Sequence, residues 1–242
     1  MRSAHGHANA AHPPIWPLYR ALVGVGLVCG LLIVSVFVLT GPVIARNEAA
    51  ALQQAVFKVL PGAVARASFT LGPDGSFHPA GEGDAPPKTV HAGYDAGGRL
   101  VGVAIEAQGM GYQDTIRVLY GYAPQSQAIV GMAVLSSKET PGLGDKIEKD
   151  PAFLANFQAL DVSLAADGES LQRAVEAVKS GSKTLPSQID GITGATISSQ
   201  AIAAILRQSS AQWVPLVYRL QGELESEPAA ERKGEGETDG GR

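Results

Sequence analysis

The sequence has one cysteine, Cys29, among its 242 residues. A disulfide within the chain is therefore impossible, and so is an iron–sulfur or zinc site that needs several cysteines. Aromatic residues make up only 6% of the chain, which argues against a surface that stacks nucleic-acid bases. The formal net charge is −4 and no cluster of Lys and Arg stands out. Nucleic acid is therefore not an expected partner.

Recognisable catalytic combinations are also lacking. No Ser–His–Asp or Cys–His set stands out, so hydrolysis is not expected. Three of the five histidines, His5, His7 and His12, form a polar head that we interpret as mobile rather than metal-binding. Gly109 and Gly111 lack the rest of the G-x-G-x-x-G spacing, which excludes a dinucleotide-binding interpretation. We predict no catalytic residue and no metal site, so any electron transfer would need an organic cofactor.

Residues 21–39 form one long apolar run. At 1.5 Å per residue it spans about 28 Å, close to the thickness of a bilayer core. Trp16 and Tyr19 precede the run and suit the membrane interface. We predict an N-terminal segment at 1–20 and a single transmembrane helix at 21–44. A cleaved signal peptide is the alternative, but its apolar region is usually shorter. The flanking charges are too balanced to set the orientation.

The rest of the chain is predicted to form one domain, residues 45–220, followed by a disordered acidic tail, residues 221–242. Residues 72–87 are rich in Gly, Pro and Asp and predict a long loop. We expect an α+β fold with a mainly antiparallel sheet and flanking helices. The predicted elements are helices at 47–60, 152–160, 171–179 and 198–208, and strands at 90–94, 100–106, 115–121 and 129–135, with 213–220 extending the last helix or starting another element.

Residues 190–199, DGITGATISS, place small residues and hydroxyl groups just before a predicted helix. Gly194 and Ala195 allow the backbone to approach a ligand closely. Thr193, Thr196 and Ser198 supply oxygen atoms where the unpaired N–H groups of a helix start favour an anion. The pattern indicates a phosphate site. An ordinary helix cap is the simpler alternative, although the pattern that begins at Asp190 is longer than a cap requires.

A second motif, residues 138–147, reads KETPGLGDKI. It follows the predicted strand at 129–135, and its Pro-Gly and Gly-x-Gly steps indicate a tight loop. A glycine-rich loop at the end of a strand is a usual place for ligand contacts, while an ordinary turn is the alternative.

Together and in this order, the two motifs resemble those of the G subunit of the Rnf electron-transport complex, a member of the FMN-binding domain family. The resemblance covers roughly residues 15–220. The C subunit of the sodium-pumping NADH:quinone oxidoreductase shares the first motif, but the wording of the second fits the Rnf member better. The resemblance implies FMN joined covalently, through its phosphate, to Thr196. The other cofactor-binding residues that it implies are Asp190, Thr193, Gly194, Ala195, Ser198, Glu139, Thr140, Gly142, Leu143 and Gly144. Lys146 and Glu139 would flank the flavin ring or its ribityl chain, unless they serve only in surface ion pairs.

The resemblance also implies a function. The chain would be a redox subunit without a stand-alone active site, relaying electrons inside a membrane complex that couples ferredoxin–NAD electron exchange to ion translocation. Its partners would be the other subunits, the lipid bilayer and a flavin transferase that uses FAD and Mg²⁺. Thr196 has no histidine beside it in the sequence, so unaided esterification is not expected.

The implied location is the bacterial inner membrane, with a single span and a periplasmic domain. Two alternatives remain open: the corresponding C subunit of the sodium-pumping enzyme, and an anchored domain that binds a phosphate ligand without redox chemistry.

Overall fold

A computed structural model describes residues 16–80, 89–225 and 231–232. The chain divides after Ala49 into two compact units, which are described separately. The described part of the first unit belongs to helix α1, Trp16–Val59, which continues into the second unit. The helix is long and apolar enough to cross a membrane, and none of its most apolar window is buried. It is therefore a candidate membrane span, whereas the predicted histidine head, His5, His7 and His12, lies outside the described residues.

Helix α1 joins two helices that the sequence predicted separately, at 21–39 and 47–60. Pro42 lies inside the continuous helix. A proline removes one intrahelical hydrogen bond but need not end a helix. Near this proline, the Thr40 hydroxyl donates to the carbonyl oxygen of Val36 at 2.8 Å. The predicted break is therefore wrong, although the end of the second predicted helix agrees with the structure to within one residue.

The second unit is built on a mainly antiparallel sheet, which confirms the predicted α+β fold. The strand order is β10-β1-β3-β4-β5-β6-β7, with β2 paired to β1. A separate parallel pair joins β8 and β9. The strands are β1 Ala65–Leu71, β2 Phe77–Pro79, β3 Thr89–Tyr94, β4 Leu100–Met110, β5 Thr115–Ala123, β6 Ala128–Ser136, β7 Leu160–Asp161, β8 Glu176–Val178, β9 Gln188–Asp190 and β10 Glu231–Arg232.

Most of the remaining elements are short helices. They are α2 Lys146–Lys149, α3 Pro151–Ala155, a 3-10 turn at Asn156–Gln158, the long α4 Thr196–Arg219, and α5 Gln221–Leu224. The predicted helix at 171–179 is wrong: Leu171 forms an isolated bridge to Leu164, and the strand β8 follows it. Pairing with β9 supplies hydrogen bonds that a short helix would otherwise make internally.

The two faces of the large sheet carry different cores. Helix α4 packs on one face, where Ile202, Leu206 and Trp213 join a cluster with large strand side chains such as Tyr120. The opposite face carries small strand side chains and covers them with the C-terminal turns of α1, through Val56, Val59 and Leu60. Because alternate strand residues point to opposite faces, one sheet supports both clusters. The site described below lies at the N-terminal end of α4.

The packed chain extends beyond the predicted boundary at 220. Leu224 in α5 is fully buried, and its carbonyl oxygen accepts a hydrogen bond from the Tyr94 hydroxyl at 2.7 Å. A carboxylate oxygen of Glu223 accepts one from the Phe77 amide at 2.7 Å. The predicted tail is therefore wrong for residues 221–225, because Leu224 buries enough apolar surface to hold them. Residues 226–230 and 233–242 lie outside the described residues.

Within the predicted loop at 72–87, strand β2 forms a short hairpin with β1. His78 is exposed and pairs with Asp74 at 3.0 Å. The remainder of that loop, residues 81–88, lies outside the described residues.

Candidate functional site

The loop between β9 and α4 is a tight turn. The amide of Ala195 donates to the carbonyl oxygen of Ile192 at 3.0 Å, and Gly194 has a φ of +85°. A glycine with positive φ at the third position is typical of a type II turn. The turn brings the chain directly into α4, whose first residue is Thr196. We call residues 190–196 the acceptor loop.

Ser199 holds this turn from inside the helix. Its hydroxyl donates to the carbonyl oxygen of Ala195 at 2.9 Å and accepts the amide hydrogen of Ile192 at 3.1 Å. Ser199 is buried, as are Ile192 and Ala195. The turn is therefore fastened to the first turn of α4 at both of its ends.

The hydroxyl-bearing residues of the first motif divide into two pairs. Ser198 and Ser199 are buried and hydrogen-bonded, whereas Thr193 and Thr196 are exposed. Among the described residues, neither threonine hydroxyl has a hydrogen-bond partner. Thr193 and Thr196 are thus the two motif hydroxyls that are open to a reagent from solvent.

Helix α4 begins without a side-chain cap. The residue before it is Ala195, which offers no hydrogen-bond acceptor to the first amide groups of the helix. Those groups carry partial positive charge, and an anion near them is favoured by about 0.3–1 kcal/mol at an exposed site. The helix start therefore suits a phosphate group attached to, or held beside, Thr196.

Two pockets share Gly191, Ile192 and Thr193 in their walls. The larger, about 470 Å³, is also lined by Thr196 and by Lys179 from the end of β8. The smaller pocket is about 310 Å³. Its remaining polar lining includes Lys146, Asp150, Ser180 and Asp190. Each volume is within the range of ligand clefts, so both sides of the acceptor loop have room for part of a bound molecule.

Asp190 uses its carboxylate inside the chain. The two carboxylate oxygens accept the amide hydrogens of Gly181 at 2.9 Å and Ser182 at 3.3 Å. Its backbone pairs with the buried amide side chain of Asn156, which accepts from the Asp190 amide at 3.0 Å and donates to its carbonyl oxygen at 3.2 Å. Asp190 thus braces the acceptor loop against its neighbours.

The second motif forms the neighbouring loop, residues 137–145, which we call the Glu139 loop. Gly142 has a φ of +79°, and its amide donates to the Asp145 carboxylate at 2.7 Å. The Thr140 hydroxyl accepts the Gln113 side-chain amide at 2.8 Å. Leu143 is exposed, whereas Gly144 is buried. The loop is thus closed on itself and tied to the turn between β4 and β5.

Glu139 joins the two motifs. One of its carboxyl oxygens accepts the amide hydrogens of Tyr112 at 2.8 Å and Gln113 at 3.1 Å. The other accepts the hydroxyl hydrogen of Ser198 at 2.5 Å. The residue is only 6% exposed. The predicted residues Glu139, Gly144 and Ser198 therefore meet beside the start of α4, while Lys146 lies at the smaller pocket.

Exposed ion pairs surround this node. The Lys138 ammonium group lies 2.5 Å from the Asp114 carboxylate and lowers the pKa of that carboxyl through their hydrogen bond. Lys149 likewise lowers the pKa of Asp145, at 2.8 Å. Both carboxylates stay charged at neutral pH and help to hold their loops. Within the described residues, no group of three or more His, Cys, Asp or Glu is placed to hold a metal ion.

Sequence reasoning missed several residues that shape the site. Asn156 and Lys179 lie far from both motifs in the chain, and nothing in their local sequence indicates a role at the acceptor loop. Ser199 lies inside the first motif, where a second hydroxyl after Ser198 was the available signal.

Comparison with protein families matches residues 111–210 to the FMN-binding domain family. The chain carries an FMN-binding domain. The match begins at Gly111, in the turn that Glu139 holds, and ends in α4. The FMN-binding domain therefore includes both motifs.

Curated relatives extend this result. The chain is 33% identical to the G subunit of the ion-translocating oxidoreductase complex of Methanosarcina acetivorans over 127 residues, which are 51% of this chain and 57% of that protein. The chain thus spans little more than half the length of this relative. It is 24% identical to the G subunit of the proton-translocating ferredoxin:NAD(+) oxidoreductase complex of Clostridium ljungdahlii, over 82% of this chain and 91% of that one. The predicted resemblance to the G subunit is confirmed.

A solved structure shares the fold. The crystal structure of NqrC from Shewanella oneidensis matches 76% of this chain and all of that one, with a TM-score of 0.53 and 18% identity. At this identity the likeness shows the fold of the FMN-binding domain and nothing finer.

Proposed function

We propose that this protein is a membrane-anchored electron-transfer subunit of an Rnf-type, ion-translocating oxidoreductase complex, and that FMN is joined to Thr196 through its phosphate. The observation that carries the proposal is the Thr196 hydroxyl: it is exposed, it lacks a partner among the described residues, and it stands at the uncapped start of α4 inside an FMN-binding domain. The matched relatives are named as G subunits of such complexes, which supports the assignment to a complex.

The residues present fit the phosphate of FMN. A phosphodiester on Thr196 keeps one negative charge, and the open amide groups at the start of α4 would stabilise it. Lys179, in the same pocket, adds a positive charge on that side. The pocket walls shared by Gly191, Ile192 and Thr193 would guide the rest of the cofactor. When bound, FMN supplies the electron chemistry that this chain's own side chains lack.

Attachment would require an enzyme. In the described structure no His, Lys or carboxylate is hydrogen-bonded to the Thr196 hydroxyl, so it lacks a base to activate it. A flavin transferase using FAD and Mg²⁺ would form the bond between Thr196 Oγ1 and the FMN phosphorus. The pyrophosphate bond of FAD would break, AMP would leave, and the threonine proton would pass to solvent or to a base of that enzyme. Asp190 and Ser199 keep the acceptor loop shaped for this step.

The anchor would be α1. Its apolar run would place the protein in the bacterial inner membrane as a single-pass subunit with its FMN-binding domain on the periplasmic side. The remaining subunits of the complex would deliver and receive the electrons.

A second candidate is the C subunit of a sodium-pumping NADH:quinone oxidoreductase, which the fold of the Shewanella oneidensis structure favours. Co-purification distinguishes the two, because each candidate predicts a different set of companion subunits. A domain that binds a phosphate ligand reversibly is the non-redox alternative, and the test of attachment decides against it or for it.

The decisive experiment is intact mass spectrometry of the full-length chain made together with a flavin transferase. We expect an adduct of one FMN and a fluorescent band in a denaturing gel. Thr196→Ala should lose both, whereas Thr193→Ala, the matched exposed hydroxyl, should keep the adduct. An unmodified wild-type mass under these conditions would refute covalent attachment, and an adduct that persists in Thr196→Ala would move it to another residue.

A further inference from the structure

Glu139 is a buried acid in the molecule for which electron transfer provides no direct use. Its side chain is almost wholly enclosed, and three hydrogen-bond donors converge on it. Such a group cannot touch a modifying enzyme, and both of its oxygens are already occupied within the chain. Its contribution must therefore pass through the groups it holds.

We propose that Glu139 is a positioning residue for flavin attachment: by its reach, not its charge, it fixes the first turn of α4 through Ser198 and so presents the Thr196 hydroxyl. This inference rests on the proposed function, in which Thr196 is the acceptor.

The geometry supports this route. Ser198 is the third residue of α4 and Thr196 is the first, so a rigid first turn relates the direction of one side chain to that of the other. The 2.5 Å contact joins Ser198 to a carboxyl group that is itself anchored by two backbone amides of the Tyr112–Gln113 turn. Ser199 fastens the same helical turn to the acceptor loop from the other side. The first turn of α4 is therefore held at two points.

Space around Glu139 is limited by glycines. A Cβ added at Gly111 would approach one carboxyl oxygen to 2.5 Å, and a Cβ at Gly144 would approach Ser198 Oγ to 2.9 Å and the other carboxyl oxygen more closely still. Gly144 is the second glycine of the Pro-Gly-Leu-Gly step and has no positive φ. Its role is therefore to leave room for the contact between the motifs.

The distinction between reach and charge can be tested with two substitutions at one position. Glu139→Gln keeps the length of the side chain: its carbonyl oxygen can accept the two amides, and its NH₂ group can donate to Ser198 Oγ. Glu139→Asp keeps the charge but shortens the side chain by one methylene group, so it cannot span from the Tyr112–Gln113 turn to Ser198.

The experiment measures the initial rate of flavin transfer to the full-length chain in detergent, with FAD, Mg²⁺ and a flavin transferase, over a range of acceptor concentrations. We expect Glu139→Asp and Ser198→Ala to lower kcat by on the order of tenfold to a hundredfold, as a misplaced reacting group does, with the KM for the acceptor nearly unchanged. Glu139→Gln should stay close to wild type. Rates like wild type in Glu139→Asp, or a loss in Glu139→Gln as large as that in Glu139→Asp, would overturn the proposal.

Ser198 could instead be read directly by the transferase, and a double-mutant cycle separates the two routes. If Glu139 acts through Ser198, Glu139→Asp should add little to Ser198→Ala. Fully multiplicative losses would mean independent actions and would refute the inference. Thermal unfolding of each variant identifies misfolding, and Ser198→Ala, which removes a single oxygen atom, keeps the test valid if a Glu139 variant fails to fold. If wild type itself takes no flavin, the proposed function fails; if wild type is modified and Glu139→Asp matches it, only this inference fails.

Discussion

The acceptor loop, residues 190–196, and the Glu139 loop, residues 137–145, lie side by side but treat their polar groups differently. In the acceptor loop, Thr193 and Thr196 face solvent without a partner among the described residues. In the Glu139 loop, the central acid is buried and bonded three times. The difference indicates that one loop carries the reactive hydroxyl while the other supplies the rigid support beside it.

The sharpest way to break this division is to fill the space between the loops. Gly144→Ala places a methyl group against Glu139 and Ser198, and overpacking of this kind costs up to about 3 kcal/mol of unfolding free energy. Thermal or denaturant unfolding measures the loss. Gly222→Ala is the control, because a Cβ there meets nothing within 4 Å. Equal stability of the two variants would show that the Glu139–Ser198 contact has slack.

The support inside the acceptor loop is the next target. Ser199→Ala leaves the buried amide of Ile192 without its acceptor, and an unsatisfied buried group costs about 2 kcal/mol. Thr193→Ala removes a neighbouring exposed hydroxyl and should leave the unfolding midpoint where it is. If the two variants unfold alike, the turn is held by its backbone alone.

Turn conformation contributes less. Gly194 has a positive φ, and an alanine held there costs about 1 kcal/mol. Gly194→Asn should recover part of that loss, since asparagine tolerates the left-handed region. Differential scanning calorimetry compares the three proteins. An alanine variant as stable as wild type would indicate that the turn can adopt another shape.

The smallest effect belongs to the exposed pair Lys138–Asp114 at the edge of the Glu139 loop. Because the folded-state pKa of Asp114 is lowered from 3.8, its contribution is present above that value and is lost as the pH falls through the lower folded pKa. The raised pKa of Lys138 preserves the pair up to its ordinary value of 10.5. Asp114→Asn should therefore lower the unfolding midpoint slightly at neutral pH, less in high salt, and not at all in strong acid. A salt-independent difference would assign the effect to something other than this ion pair.

Sequence was a good guide where the signal is local. The hairpin predicted at 90–94 and 100–106 agrees with β3 and β4, and both motifs are contiguous stretches that can be read directly. The helix predicted at 171–179 fails because the parallel pairing of β8 with β9 depends on residues further along the chain. The start of α4 was placed two residues late, since Thr196 resembles a cap more than a first helical residue.

The site was only partly predictable for the same reason. Thr196 stands out by its motif, but the contact between Glu139 and Ser198 joins positions 59 residues apart. Asn156 supports Asp190 across 34 positions without any motif of its own. Hydrogen bonds between distant segments depend on the fold, and a single sequence does not reveal them.

The alanine at position 195 has a further consequence. A serine or aspartate before Thr196 would cap α4 and typically raise helix stability by about 1 kcal/mol. The same side chain would also occupy the amide hydrogens that an incoming phosphate needs. A better-capped helix would thus compete with its own cargo, and the native residue leaves those hydrogens vacant. Stability forgone at this one position is what keeps the docking point for the anion open.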